Sequence, residues 1–141
     1  ATIEITGYQF EIGNTATDFE QIPFDISLRR CQRYLERIDK SSTETVICIG
    51  QGTSGSSIFG RINFATEKRV VPSATISDAS HIQGLTGTAG AWSNASGASL
   101  QAGDERQMRL ALTGLSGMTS GGCHEVRIND SNGYIMVAAE I

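Results

Sequence analysis

Long apolar runs are missing from this chain. No stretch approaches the roughly 18 consecutive apolar residues of a membrane helix, so no membrane insertion is expected. Charge is sparse as well: charged residues are 18% of the 141 and the net charge is −4. A partner held mainly through phosphates calls for a basic surface, so nucleic acid is not expected. Cysteine is limited to Cys31, Cys48 and Cys123, an odd count with no C-x-x-C pair. Neither a disulfide framework nor a structural zinc site is expected from them, and they read as reduced, buried thiols. His81 and His124 are the only histidines and neither has a partner at metal-ligand spacing, so no metal and no cofactor is expected. No G-x-S-x-G elbow or other nucleophile signature occurs, and the chain is not expected to be an enzyme. The start, Ala1-Thr2-Ile3-Glu4-Ile5, has no basic segment leading into an apolar one, so no signal peptide is expected.

What remains is a chain of one-domain length, 39% hydrophobic, with 16 glycines, 2 prolines and serine or threonine throughout. Such a composition folds rather than staying disordered, and it points to short strands joined by polar turns. The alternations agree. Ile3 and Ile5, then Tyr8, Phe10 and Ile12, alternate with polar residues at strand period. So do Ile58, Gly60, Ile62 and Phe64, then Met108, Leu110 and Leu112, then Val126 and Ile128. Thr45 to Ile49 is a short β-branched run, and Ala74 to Ile76 is another short strand. Asn129 to Gly133 reads as a hairpin turn into a return strand, Tyr134 to Ile141, which is apolar on both faces and therefore central. One helix is expected after Pro23, with Asp25 or Ser27 as N-cap and Leu28, Cys31, Leu35 and Ile38 at helical spacing. Its second half, Arg33 to Ile38, serves equally as a strand. Gly50 to Ser57 and Gly84 to Gly103 read as loops, the second at one end of the fold with at most one short strand. The fold class predicted is all-β, an antiparallel β-sandwich, jelly-roll-like, with one short N-terminal helix. Residues 1–24 form a strand-and-linker arm and residues 25–141 the sandwich.

Several patterns invite chemistry. Gly50-Gln51-Gly52-Thr53-Ser54-Gly55 is a literal G-x-G-x-x-G after a strand. A dinucleotide site needs a helix next, but Ser56 to Phe64 is patterned as a strand, so the motif reads as a hairpin loop. His124-Glu125 and Asp104-Glu105 read as surface residues. Arg29, Arg30, Arg33 and Arg37 form a basic cluster that reads as a solvated helix face or as salt-bridge partners for a neighbouring chain. Trp92 is the only tryptophan and lies among small residues. It either stacks on a sugar ring, with Ser93 and Asn94 as hydrogen-bonding partners, or folds back to plug the sandwich end.

Tyr8-Gln9-Phe10-Glu11-Ile12-Gly13-Asn14-Thr15-Ala16-Thr17-Asp18-Phe19-Glu20 resembles a junction in tailed-phage structural proteins, where a strand of the type V-Q-L-E-x-G-x-x-A-T-x-F-E closes a carbohydrate-binding-like module. A second signature there, E-E-L-x-x-C-Q-R-Y-Y, is similar to Ile26 through Leu35, which contains Cys31-Gln32-Arg33-Tyr34. A third, K-R-x-x-P-x-x-T, is matched by Lys68-Arg69-Val70-Val71-Pro72-Ser73-Ala74-Thr75, and an A-E-L ending by Ala139-Glu140-Ile141. Ile26-Ser27 stand where the family has paired Glu, Leu35 where it has a second Tyr, and most of the preceding module is not in this sequence. The resemblance implies the C-terminal domain of a virion protein, a tail fibre or appendage assembled in the host cytoplasm and exposed to the host surface, with a glycan as possible ligand. It also implies a short helix over Leu28 to Gln32 and a strand starting near Tyr34. The alternative function is a capsid decoration or fibre-cap protein that stabilises the particle without a receptor.

A homotrimer, in contact with other virion proteins, is the expected assembly. An apolar-alternating arm cannot stand alone in water. Ile3, Ile5, Tyr8, Phe10 and Ile12 would dock on a neighbouring copy, with Arg29 and Arg33 meeting acidic residues across the interface. The stoichiometry comes from the fibre resemblance alone.

Overall fold

The structure is a computed structural model that describes residues 12–15, 18, 21–40, 45–87 and 90–140. In chain order it contains helix α1 (Phe24–Gln32) and strands β1 (Leu35–Asp39), β2 (Thr45–Ser54), β3 (Ser57–Asn63) and β4 (Ser73–Ile76). A 3-10 turn (Ala79–His81) leads into β5 (Ile82–Leu85), β6 (Trp92–Asn94), β7 (Gly97–Ala102), β8 (Gln107–Thr113), β9 (Cys123–Ile128) and β10 (Tyr134–Ala138). All strand pairings are antiparallel. Two sheets result, a seven-stranded one in the order β6-β5-β9-β2-β3-β8-β7 and a three-stranded one in the order β1-β10-β4. The class is all-β, as the alternation requires.

Alternation sorts the side chains. Ile58 and Ile62 of β3, Met108, Leu110 and Leu112 of β8, and Val126 and Ile128 of β9 are buried, and meet Ile135 and Val137 of β10 in one core. Apolar burial of this kind is the main stabilising term. Glycines set the distance between strands near Ile58. A Cβ on Gly50 would lie 2.4 Å from Ile58 Cγ2, and one on Gly84 would lie 2.6 Å from Ile58 Cδ1. The first two glycines of the G-x-G-x-x-G stretch therefore belong to β2, not to a loop, and the turn is Gly55-Ser56.

The segment expected as end loops, 84–103, instead supplies both margins of the large sheet. β6 and β7 are sequence neighbours, separated by Ala95 and Ser96, yet they stand at opposite edges. The sheet therefore curls until its two margins come together at Ala95–Ser96. Ala95 N–H donates to Ile82 C=O on one side (3.0 Å), and Ser96 N–H donates to Thr113 C=O on the other (3.1 Å). Gly114, at φ +69°, leaves no room for a Cβ beside Ser96. One end of the curl is filled by Leu115 and Met118, both buried. Trp92 does not plug it.

The turn at Asn129–Gly133 forms, with Gly133 N–H donating to Asp130 C=O at 3.0 Å, but it is not a hairpin. β9 pairs with β2 and β5, whereas β10 pairs with β1 and β4. The turn arches from one sheet to the other, and β10 is central, as its two apolar faces indicate.

Helix α1 starts at Phe24 on Pro23, whose carbonyl accepts from the N–H of Ile26 and Ser27. Neither Asp25 nor Ser27 caps it; both lie inside, where Asp25 favours the first turn electrostatically. It ends at Gln32, earlier than helical spacing alone suggests. Leu35 pairs with Ala138, so sheet pairing overrides helix propensity there. None of its residues is buried, and Phe24, Ile26 and Leu28 are exposed. Arg29 and Arg30 are helical and Arg33 follows the last turn, but Arg37 lies on β1, so the four arginines are not one helix face. The Arg37 guanidinium sits 4.4 Å from the Tyr134 ring centroid and its Nε is 2.6 Å from Asp39.

Candidate functional site

The outer face of the large sheet carries the residues singled out around Trp92. Asn94, Gln83 and Arg127 are register partners across β6, β5 and β9. Arg127 Nε donates to Gln83 Oε1 (2.8 Å), and Gln83 Nε2 donates to Asn94 Oδ1 (2.5 Å). The Arg127 guanidinium lies 3.7 Å from the Trp92 ring centroid, a cation–π stack that leaves Arg127 only 8% exposed. Trp92 thus folds onto the sheet face and is half-buried, with one ring face taken by Arg127. Trp92 and Asn94 share this face. Ser93, between them, points the other way, where its Oγ accepts from Ser116 N–H at 2.9 Å. The expected trio is therefore a pair plus a strut, and no local pattern pointed to Gln83 and Arg127, whose role depends on cross-strand register.

Ile12 is fully exposed, and Arg29 and Arg33 are exposed. Ile3, Ile5, Tyr8 and Phe10 lie outside the described residues.

The acidic and histidine motifs have local work. His124 is buried; its Nδ1 donates to the Leu85 carbonyl at 2.7 Å, and its Nε2 lies 3.2 Å from both the amide nitrogen and the carbonyl oxygen of Thr119. Both nitrogens are occupied. Asp104 accepts from the N–H groups of Arg106 and Gln107 and shapes the β7–β8 turn. The Arg106 amide above all, with the Gln107 side chain, holds its carboxyl below the ordinary carboxylate range. Asp78 caps the 3-10 turn and is likewise lowered, by the Ser80 hydroxyl first and then its amide. Among the described residues no cluster of three His, Cys, Asp or Glu is placed to hold a metal ion.

One constellation escaped sequence reasoning because Asp130 is remote in the chain from Ser77 and His81. Ser77 Oγ is 2.9 Å from His81 Nδ1, and His81 Nε2 is 3.9 Å from Asp130 Oδ1. The residue types match a catalytic triad but the geometry does not. The His–Asp distance is too long for a hydrogen bond. Asp130 Oδ1 is held by Asn132 N–H (2.7 Å), and Ser77 Oγ accepts from Tyr134 N–H (3.0 Å). These contacts fasten the inter-sheet arch to the 3-10 turn.

The thiols differ from expectation. Cys31 and Cys123 are exposed, and only Cys48 is largely enclosed. Cys48 faces Gly60, where a Cβ would lie 2.6 Å from its sulfur, and burial pushes its thiol up to about 11.

The residues of the separated signatures converge away from this face. Lys68 Nζ donates to Glu36 Oε2 and to the Gln32 carbonyl, each at 2.6 Å. Both Glu36 oxygens accept from Ala65 N–H at 3.1 Å. Arg69 N–H donates to the Arg33 carbonyl, and Ala139 N–H to the Tyr34 carbonyl. Gln32, Arg33, Tyr34, Lys68, Arg69 and Ala139 are thus one structural unit that ties the end of α1 to the 68–69 segment and to the chain after β10. No protein-family model, curated protein or solved structure matches the chain.

Proposed function

We propose that the chain is a structural protein of a tailed-phage virion, a tail-fibre or appendage domain that attaches to a host-surface glycan. The observation that carries this reading is the meeting of the signature residues at Lys68. Three stretches resembling the phage family are remote in sequence, yet their residues bond to one another, as expected of a unit that keeps one fold. The Trp92 face supplies the second support. A half-buried indole beside the Asn94 amide offers a stacking surface and a hydrogen-bonding edge, the usual means of holding a sugar. Virions probed with antibody against this chain are expected to be positive. Trp92→Ala is expected to abolish retention on host-surface glycans. A chain absent from particles overturns the reading.

The second reading is a decoration or cap protein that stabilises the particle without a receptor. The exposed Phe24, Ile26 and Leu28 on a helix with no buried residue favour it, because such a surface suits a neighbouring protein. Particles lacking the chain would then melt at lower temperature, and Trp92→Ala would change nothing. In either case the assembly proposed is a homotrimer, checked by light scattering on the purified chain and on one lacking residues 1–13.

A further inference from the structure

We infer that Arg61 and Arg109, on the outer face of the large sheet, clamp the carboxylate of an acidic sugar residue, such as a uronate within a surface glycan. The two arginines are direct register partners on β3 and β8, and both are exposed. Like charges placed opposite one another across a strand pair repel. Among the described residues neither has a carboxylate within ion-pair distance, although the chain carries a net charge of −4. An anion bridging the two guanidinium forks removes that repulsion, and a planar carboxylate suits bidentate arginine geometry.

The surroundings favour a sugar over a bare ion. Two shallow depressions share Arg61 and Arg109. One, of about 400 Å³, is lined also by Gln101, Gly103, Gln107 and Met108. The other, of about 290 Å³, is lined also by Ile49, Gln51, Phe59 and Gly60. Amides on both sides can bond ring hydroxyls. Ile49, 66% exposed, and Phe59, 40% exposed, offer apolar surface to ring CH groups. The Phe59 ring centroid lies 4.9 Å from the Arg109 guanidinium, which orients that fork. A chain of rings running from one depression to the other would pass its carboxylate over the arginine pair. Glu125 shares the row on the far side of Ile49, about 10 Å from Arg61 by strand spacing, and so limits the acidic ligand to the β3–β8 side.

The inference deepens the attachment reading and depends on it for the source of the carboxylate. The test is NMR titration of the full chain with glucuronate, glucose and acetate, followed by retention on immobilised acidic and neutral polysaccharides. Glucuronate is expected to shift the signals of Arg61, Arg109, Gln51 and Gln101, with glucose inert and acetate weaker. Arg61→Gln and Arg109→Gln, checked for folding by circular dichroism, are each expected to weaken glucuronate and acidic polysaccharide by about tenfold or more, with Arg61→Lys intermediate. Acetate matching glucuronate would overturn the sugar assignment, and glucuronate binding unchanged by both Gln variants would overturn the clamp. Uronate binding by a chain that never joins virions sinks the attachment reading alone. Glycan binding that needs Trp92 but neither arginine sinks the clamp alone.

Discussion

Lys68 and Glu36 form a buried ion pair: Nζ lies 2.6 Å from Oε2, with the lysine side chain wholly enclosed and the glutamate side chain 10% exposed. Lysine is almost never fully buried unless paired, and here it also donates to the end of α1 through the Gln32 carbonyl. Lys68→Met strands the Glu36 charge and is expected to destabilise the fold by about 3–5 kcal/mol. Adding Glu36→Gln should recover part of that loss. Urea denaturation of the two single variants and the double checks it; additive losses would mean the pair is not coupled.

Gly84 and Ile58 give a sharper test. A Cβ on Gly84 meets Ile58 Cδ1 at 2.6 Å, and the next nearest atoms are two Leu115 methyl carbons at ordinary distances of 3.5 and 3.6 Å. Gly84→Ala is therefore expected to cost about 1–3 kcal/mol as overpacking. Ile58→Val deletes the offending carbon at about 0.5–1.5 kcal/mol. The double variant should be more stable than the sum of the single losses predicts. Gly50→Ala should gain no such relief, because its Cβ meets Cγ2, which valine keeps, and the Phe59 carbonyl oxygen at 2.9 Å.

The thiols separate by exposure. Cys31 and Cys123 should react with a thiol reagent in the native protein, and Cys48 only on unfolding. Cys48 also sets a pH window. Its thiol is raised from 9.0 to about 11 when folded, so the folded state binds the proton more tightly. That contribution is whole below pH 9 and is lost as pH rises toward 11, amounting to about 2–3 kcal/mol. Denaturation of the wild type and Cys48→Ala at pH 8 and pH 10.5 should show the wild type losing more stability over that interval.

Trp92 is the only indole, so its fluorescence reports directly on Arg127, whose guanidinium lies 3.7 Å from the ring centroid. Arg127→Ala should uncover the ring, shift its emission to longer wavelength and make it easier to quench with acrylamide. An unchanged spectrum would show that the stack does not shield the ring.

Much of this architecture was legible because β3 and β8 keep strict alternation, and alternation is a local property. The failures share a physical cause. Gly50 and Gly52 look like loop residues because glycine is common in loops, yet here they are strand positions where no Cβ fits. Segment 84–103 has only Leu85, Trp92 and Leu100 as large apolar residues, too few to set an alternation for β6 and β7. The Asn129–Gly133 turn has hairpin chemistry, but which sheet its strands join is decided by β1, β2, β4 and β5. At the candidate site Trp92 and Asn94 were legible as residue types. Gln83, Arg127 and the Arg61–Arg109 pair were not, since only strand register brings them together.

The Ala95–Ser96 link has a mechanical meaning. Its two amides hold the two margins of one sheet, so the dipeptide works as a clasp. Cleavage or insertion there would leave β6 paired with β5 and β7 paired with β8, and would remove the covalent tie that holds the two margins together at this corner. The two margins could then part, and their outward amides would be more open to pairing with other copies.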